Sequence, residues 1–264
     1  MRSPVSHKGE NGSVAIIGGS TFQHGAPLFS ALAAEASGVD LVFMFVPACH
    51  REVAKNTSLN FQIHTFGSEM SDEISASDRS RIIEMLATMD SVVIGPGLSR
   101  SSKNLASIMA LLEECPCPLV VDASALQAAT LAALKDKHAV VTPHLGELER
   151  MQLTPEQIST AAKKFFCTFL LKGPEDTIVN EKGSVKKISG GNAGLTVGGT
   201  GDALAGLLSG LIAQGYEHIE ACSIASTCIK RAGDILFAKQ GYAYTTREVI
   251  AQIPEILRDL VSRT

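Results

Sequence analysis

Tryptophan is missing from this 264-residue chain, which also holds only 3 tyrosines. Too few rings are present for the stacked aromatic platforms that bind single-stranded nucleic acid. A basic excess is missing as well. Lys and Arg number 23 against 27 Asp and Glu, so the net charge of −4 offers no field to hold a polyanion. No apolar run reaches bilayer length, and stretches such as "LVFMFVPA" fall far short. The start, "MRSPVSHKGENGS", is polar and has no apolar signal centre. The 6 cysteines are scattered; Cys115 and Cys117 alone are close, and "CPCP" matches no common zinc knuckle. Reduced thiols in a cytoplasmic protein are the expectation. Two nucleotide signatures are lacking: there is no G-x-x-x-x-G-K-[ST], and "IGGST" falls short of G-x-G-x-x-G.

What is present is a globular composition, 45% hydrophobic and 19% charged. Short β-branched runs alternate with helical patterns. "VAIIG" precedes "APLFSALAAEASG" and "VDLVFMFV"; "SVVIG" precedes "SKNLASIMALLEE" and "PLVVD"; "AVVTP" precedes two helical stretches and "CTFLLKG". This order predicts parallel strands joined by helical crossovers and buried on both faces. "DTIVNEKGSVKKI" instead predicts a hairpin around Lys182-Gly183. Thr154 and Thr245 mark helix starts, with Gln157 and Glu248 three residues on. After Gly201 the pattern is all helical. The expectation is one domain over residues 1–264, a three-layer α/β/α sandwich with a mostly parallel sheet and a small hairpin.

Ligands of such sheets bind beyond the carboxyl ends of the strands. Those ends read "IIGGS", "VIGPGLS", "VDAS", "VTPHLGE", "LLKGPEDT" and "NAGLTVGGTGD". Gly198, Gly199, Thr200 and Gly201 lead into Asp202 and an apolar helix that stops at Gly215. Free N–H groups at a helix start attract an anion. Asp202 is then either a helix cap or a base beside a bound phosphate. His144 in "PHLGE" is either a cap or a ligand-facing group. Lys172 and Gly173 offer a charge and an open backbone at a strand end.

These segments, in this order from about Lys8 to the last helix, resemble the ADP-dependent NAD(P)H-hydrate dehydratases of the ribokinase-like superfamily. The resemblance implies the ribokinase-like α/β/α sandwich. It implies that ADP or ATP phosphorylates the ring hydroxyl of hydrated NADH or NADPH (NADHX, NADPHX), after which phosphate leaves and the double bond returns. Asp202 is the implied base, and Gly198–Gly201 would donate N–H groups to the transferring phosphate. Ala26, Gly97 and His144 are implied at the hydrated ring together with Asp202. Lys172, Gly173, Pro174, Glu175 and Asp176, with Gly201, would wrap the adenylate. Glu147 is the implied acid that holds Mg2+ through water. A homotetramer is implied; as the fused epimerase domain of some relatives is missing, the chain is expected to act on one epimer only or to rely on a separate epimerase. Three departures stand out: Ser99 after "GPGL", "KGPED" where the family reads "KGAxT", and "NAGLT" where it often reads "NPGMA". Glu175 and Asp176 put extra negative charge beside a nucleotide. Two rival readings use the same motifs: a kinase of a vitamin alcohol such as hydroxyethylthiazole, and a nucleotide-binding protein without catalysis.

Overall fold

The computed structural model describes residues 5–135 and 137–261; Met1–Pro4 of the polar start therefore lie outside the described residues. Nine strands form one sheet: β1 (Ser13–Ile17), β2 (Leu41–Pro47), β3 (Phe61–Phe66), β4 (Ser91–Ile94), β5 (Leu119–Val121), β6 (Ala139–Val141), β7 (Cys167–Leu171), β8 (Asp176–Val179) and β9 (Val185–Ile188). Their order is β3-β2-β1-β4-β5-β6-β7-β8-β9. Pairings through β7 are parallel; β8 and β9 add the antiparallel hairpin at one edge. The helices are α1 (Gly25–Ala36), α2 (Arg51–Thr57), α3 (Ala76–Leu86), α4 (Ser102–Glu114), α5 (Thr130–Ala133), α6 (Leu145–Arg150), α7 (Ile158–Phe165), α8 (Thr200–Ala213), α9 (His218–Gln240) and α10 (Thr246–Val261).

The strands read as continuous apolar runs because both faces are covered. Alternate residues enter opposite layers. Ile16, aligned with Met44 and Val93, faces the core shared with α1, α8, α9 and α10. Ile17, aligned with Phe45 and Ile94, faces the core shared with α3, α4 and α7. The architecture is the expected three-layer α/β/α sandwich with a mostly parallel sheet and an edge hairpin. Both predicted capping pairs form: the Thr154 N–H donates to Gln157 Oε1 at 2.9 Å, and the Thr245 N–H to Glu248 Oε2 at 2.8 Å.

Two features position the site. The chain winds from β1 to β2 and β3 on one side, then returns to place β4 on the other side of β1. That reversal opens a crevice at the carboxyl ends of β1 and β4. Secondly, α8 packs closely on α1. A Cβ at Gly206 would meet the Ser30 carbonyl oxygen at 1.9 Å, and one at Gly210 the Ser37 Oγ at 2.1 Å.

Strand β3 and helix α3 had no counterpart in the sequence reading. β3 is the other edge strand, and Gln62 and His64 interrupt its apolar residues. An edge strand has one unpaired side and less burial, so its sequence is freer to be polar.

Candidate active site

At the start of α8 the chain turns through Gly199, whose φ of +98° is the left-handed region. A Cβ there would also meet the Phe29 ring at 2.3 Å. Gly199 therefore has to be glycine on two grounds. It occupies the N-cap position and no side chain caps the helix. Asp202 is the third residue of α8, so the alternative that it serves as the helix cap is corrected here. Its carbonyl accepts a hydrogen bond from Ser30 Oγ at 2.8 Å, which ties the turn to α1. Gly198 faces open space.

Beneath this turn lies a cluster assembled from the ends of three strands, β5, β6 and β7. Lys172, just beyond β7, places Nζ 2.7 Å from Asp122 Oδ1 and 3.4 Å from Glu147 Oε2. Asp122, just beyond β5, also accepts from Thr142 Oγ1 at 2.8 Å. The Cβ of any residue replacing Gly201 would lie 3.3 Å from Lys172 Nζ, so the ammonium sits directly under the glycine turn. Lys172 is thus part of this cluster and not merely of the loop that follows it. Three carboxylates face one ammonium. Burial pulls the pKa of Lys172 down, but Asp122, Glu147 and Asp202 more than reverse this and hold it above the usual value. Asp202 is pushed up to about 7, chiefly by burial, then by the negative charge of Asp122, with Lys172 opposing and Glu147 adding a little. Asp122 is the residue that sequence reasoning missed. "VDAS" marked a strand end, but nothing in the chain shows that its acid lies beside Asp202, 80 positions away.

His144 caps α6. Its Nδ1 accepts the N–H groups of Gly146 (3.0 Å) and Glu147 (3.3 Å), while Glu147 Oε2 accepts the His144 N–H at 2.9 Å. Accepting at Nδ1 puts the proton of the neutral ring on Nε2. The exposed ring also borders the main cavity, so the cap forms while the ring stays open to that cavity.

That cavity encloses about 890 Å³. The Lys172–Asp176 turn, the Gly190–Gly201 segment and Lys230 of α9 surround it. The two acids that looked out of place beside a nucleotide are both neutralised. Glu175 pairs with Lys187 at 2.8 Å and accepts from Ser189 Oγ at 2.9 Å. Asp176 turns inward, accepting from the Gly173 N–H (2.8 Å) and Ser226 Oγ (2.6 Å), with Lys230 Nζ at 3.5 Å. Lys230, buried on α9, also donates to the carbonyls of Gly173 (3.1 Å) and Pro174 (2.9 Å). The sequence offered no signal for Lys230, which stands beside Arg231 and ahead of Lys239 in one long helix.

Ala26 and Gly97 come together across the crevice: a Cβ at Gly97 would meet that of Ala26 at 3.1 Å. Gly97 has φ +69° and Gly95 φ +129°. A Cβ at Gly95 would lie 1.9 Å from the Asp122 carbonyl oxygen, so "GPGL" lets β4 and β5 close over the acid cluster. A smaller cavity of about 350 Å³ opens between the Ser20–Gln23 turn and Leu98–Arg100. Among the described residues no three His, Cys, Asp or Glu side chains are grouped to hold a metal ion.

Compared with known proteins, residues 14–255 match the family described as NAD(P)H-hydrate dehydratase. The ADP-dependent (S)-NAD(P)H-hydrate dehydratase of Nitrosopumilus maritimus is 34% identical over 275 residues, 97% of this chain and 92% of that one. The bifunctional NAD(P)H-hydrate repair enzyme Nnr of Methanopyrus kandleri is 32% identical over 268 residues, 98% of this chain but 52% of that one. The chain spans about half the length of that bifunctional relative. Among solved structures, a ribokinase-like superfamily protein of Enterococcus faecalis V583 superposes with a TM-score of 0.85 at 25% identity, covering 98% of this chain and 91% of that one.

Proposed function

The chain belongs to the NAD(P)H-hydrate dehydratase family, and from that premise we propose that it restores NADH and NADPH from (S)-NADHX and (S)-NADPHX at the expense of ADP. It is then a hydro-lyase acting in metabolite repair. Hydroxide is a poor leaving group and phosphate a good one. The ring hydroxyl attacks the terminal phosphorus of the nucleotide, the P–O bond to the remaining nucleotide breaks, and AMP departs when ADP is the donor. The ring nitrogen's lone pair then expels phosphate, the neighbouring carbon gives up a proton, and the double bond re-forms.

Asp202 takes the hydroxyl proton at its carboxylate. One observation carries this reading: a carboxylate raised to about 7, on the first turn of α8, with no cap to make. A base works best when its pKa lies near the working pH. Gly198–Gly201 would donate N–H groups to the phosphate in flight. Lys172 keeps Asp202 from rising further and offsets its charge after proton release. Ala26, Gly97 and His144 Nε2 would line the ring, and the Lys172–Asp176 turn the adenylate. Asp176, turned inward onto Lys230, and Glu175, paired at the surface with Lys187, weaken the objection to a nucleotide there.

Mg2+ would reach the site on the nucleotide. Glu147 Oε2 is engaged by His144 and Lys172, and Oε1 lies 3.5 Å from His144 Nε2. These residues fit a hydrated ion touched through water, as Mg2+ prefers, and not an all-protein cage. The ion would neutralise phosphate charge. A homo-oligomer is supported by exposed Ile235, Phe237 and Tyr242 around the end of α9, with a homotetramer as the working number. The free thiols support a cytoplasmic location, and a separate epimerase is the functional partner in this reading.

The test is to incubate the protein with hydrated NADH or NADPH, ADP and Mg2+ and follow the return of the reduced-nicotinamide absorbance. A vitamin-alcohol kinase or a nucleotide-binding protein without catalysis leaves the absorbance unchanged.

A further inference from the structure

The smaller cavity carries charges for which the proton transfer at Asp202 has no use. Arg100 lies on its wall, just after "GPGLS". Its Nε donates to Ser124 Oγ at 3.3 Å. Arg150, at the end of α6, donates through Nη1 to the Ala123 carbonyl at 3.3 Å. Both guanidiniums therefore converge on consecutive residues of one turn, Ala123–Ala125. Ala123 holds φ +52°, unusual for a residue with a side chain, and it directly follows Asp122 of the acid cluster. Among the described residues neither arginine has a carboxylate within ion-pair distance, although Glu147 lies near enough to act on Arg100. Burial and then the positive charge of Arg150 hold the pKa of Arg100 below its usual value. Asp72, the acid on the cavity wall, is occupied: its Oδ2 accepts the N–H (2.8 Å) and Oγ1 (3.0 Å) of Thr21.

Arg100 on the cavity wall and Arg150 behind it are held on consecutive residues of one turn, and guanidinium forks suit the oxygens of a phosphate. A planar group belongs beside it. Phe22, on the same cavity wall, is 93% exposed. Its turn is held rigid by Asp72 and by a 2.8 Å contact between His50 Nε2 and the Ser20 carbonyl. In the dehydratase reading the phosphoryl donor takes the main cavity, which shares no lining residue with the smaller one.

We propose that Arg100 and Arg150 hold a phosphate of the dinucleotide being repaired, with Phe22 stacking on one of its bases, so that the smaller cavity is the dinucleotide's tail site. This rests on the dehydratase reading. Two phosphates share the required chemistry: the bridging pyrophosphate, present in both cofactors, and the 2′-phosphate, present in NADPH and NADPHX alone.

The test reads binding apart from turnover. Reduced NADH and NADPH are titrated onto the protein by their own fluorescence, which no tryptophan here perturbs. ADP is kept at saturation so that the dinucleotide's adenylate cannot enter the nucleotide cavity. Arg100→Ala and Arg150→Ala are each expected to weaken dinucleotide binding about tenfold, the cost of roughly one charged hydrogen bond. Arg100→Lys should recover part of the loss, and the Kd of ADP should stay at the parental value. Loss for both dinucleotides assigns the pyrophosphate; loss for NADPH alone assigns the 2′-phosphate. Parental binding of both dinucleotides by both alanine variants overturns the proposal, as does an effect confined to ADP or a parent that binds neither dinucleotide. The dehydratase reading is judged separately, by whether the parent restores absorbance from the hydrated cofactor.

Discussion

Two clusters of acids and lysines flank the main cavity, and they differ in balance. Around Lys172, three carboxylates share one ammonium, and Asp202 titrates near 7. Around Lys230, Asp176 meets one ammonium, a hydroxyl and an N–H, while Glu175 has Lys187 to itself. The second arrangement satisfies its charges and shapes a turn. The first leaves a surplus that can be used to move a proton. Buried charge therefore separates into structural and chemical roles by arithmetic, without reference to residue type.

The sharpest way to test this contrast is Asp202→Asn. Turnover should fall about 10²–10⁴-fold, since the amide cannot accept the hydroxyl proton. In the parent, kcat/KM should rise with pH through a limb near 7. Stability should move the other way. The folded protein keeps a proton on Asp202 up to about 7, whereas the unfolded chain releases it near 3.8. The parent thus loses stability as pH rises between those values. Asp202→Asn should raise Tm at pH 8 and leave it unchanged at pH 3.5. A parental rate in a folded variant would assign Asp202 no chemical part.

Next in size is Lys172→Met, which removes the single cation among the carboxylates. Urea unfolding at pH 7.5 should show a loss of about 3–5 kcal/mol, shrinking as acid protonates them. The activity limb should also move to higher pH. Lys230→Met touches the balanced cluster and should cost about 1–3 kcal/mol in the same measurement. It should raise the KM for ADP while leaving the pH limb in place. A shifted limb there would erase the distinction between the two clusters.

Much of this contrast was legible only in halves. The glycine turn, Asp202, "PHLGE" and "LLKGPED" announce themselves because glycine, proline and charge interrupt apolar strands. The hairpin around Lys182-Gly183 was equally plain. Distance was not legible. Asp122 looked like an ordinary strand end, Lys172 like a member of its loop, and Lys230 like one more helical cation. Each acquires its role from a partner tens of residues away. Glu175 and Asp176 misled for the same reason, since their neutralising lysines lie on β9 and α9.

His144 offers a smaller, two-sided test. His144→Ala should lose about 0.5–2 kcal/mol as the α6 cap goes, whereas His144→Asn keeps a capping oxygen and should lose little. If the ring also meets the substrate, both variants should raise the KM for hydrated cofactor equally. A parental KM in His144→Asn confines the residue to capping. Smallest of all is Glu175→Gln. Its pair with Lys187 is open to solvent and screened. Tm and the KM for ADP should stay at parental values; a clear rise in KM would show that the turn needs this charge.

Anyone seeking a hardier version of this enzyme would look first at Gly206 and Gly210, because glycine weakens a helix by about 1 kcal/mol relative to alanine. Here the standard remedy should backfire. The methyl group would strike the Ser30 carbonyl oxygen or Ser37 Oγ and push α8 off α1. Asp202 rides on the turn just before Gly206, fastened by its carbonyl to the same Ser30. A gain in local helix strength would arrive as a displaced Asp202 carboxylate. In this enzyme, heat tolerance is better sought on surfaces that do not touch the α1–α8 seam.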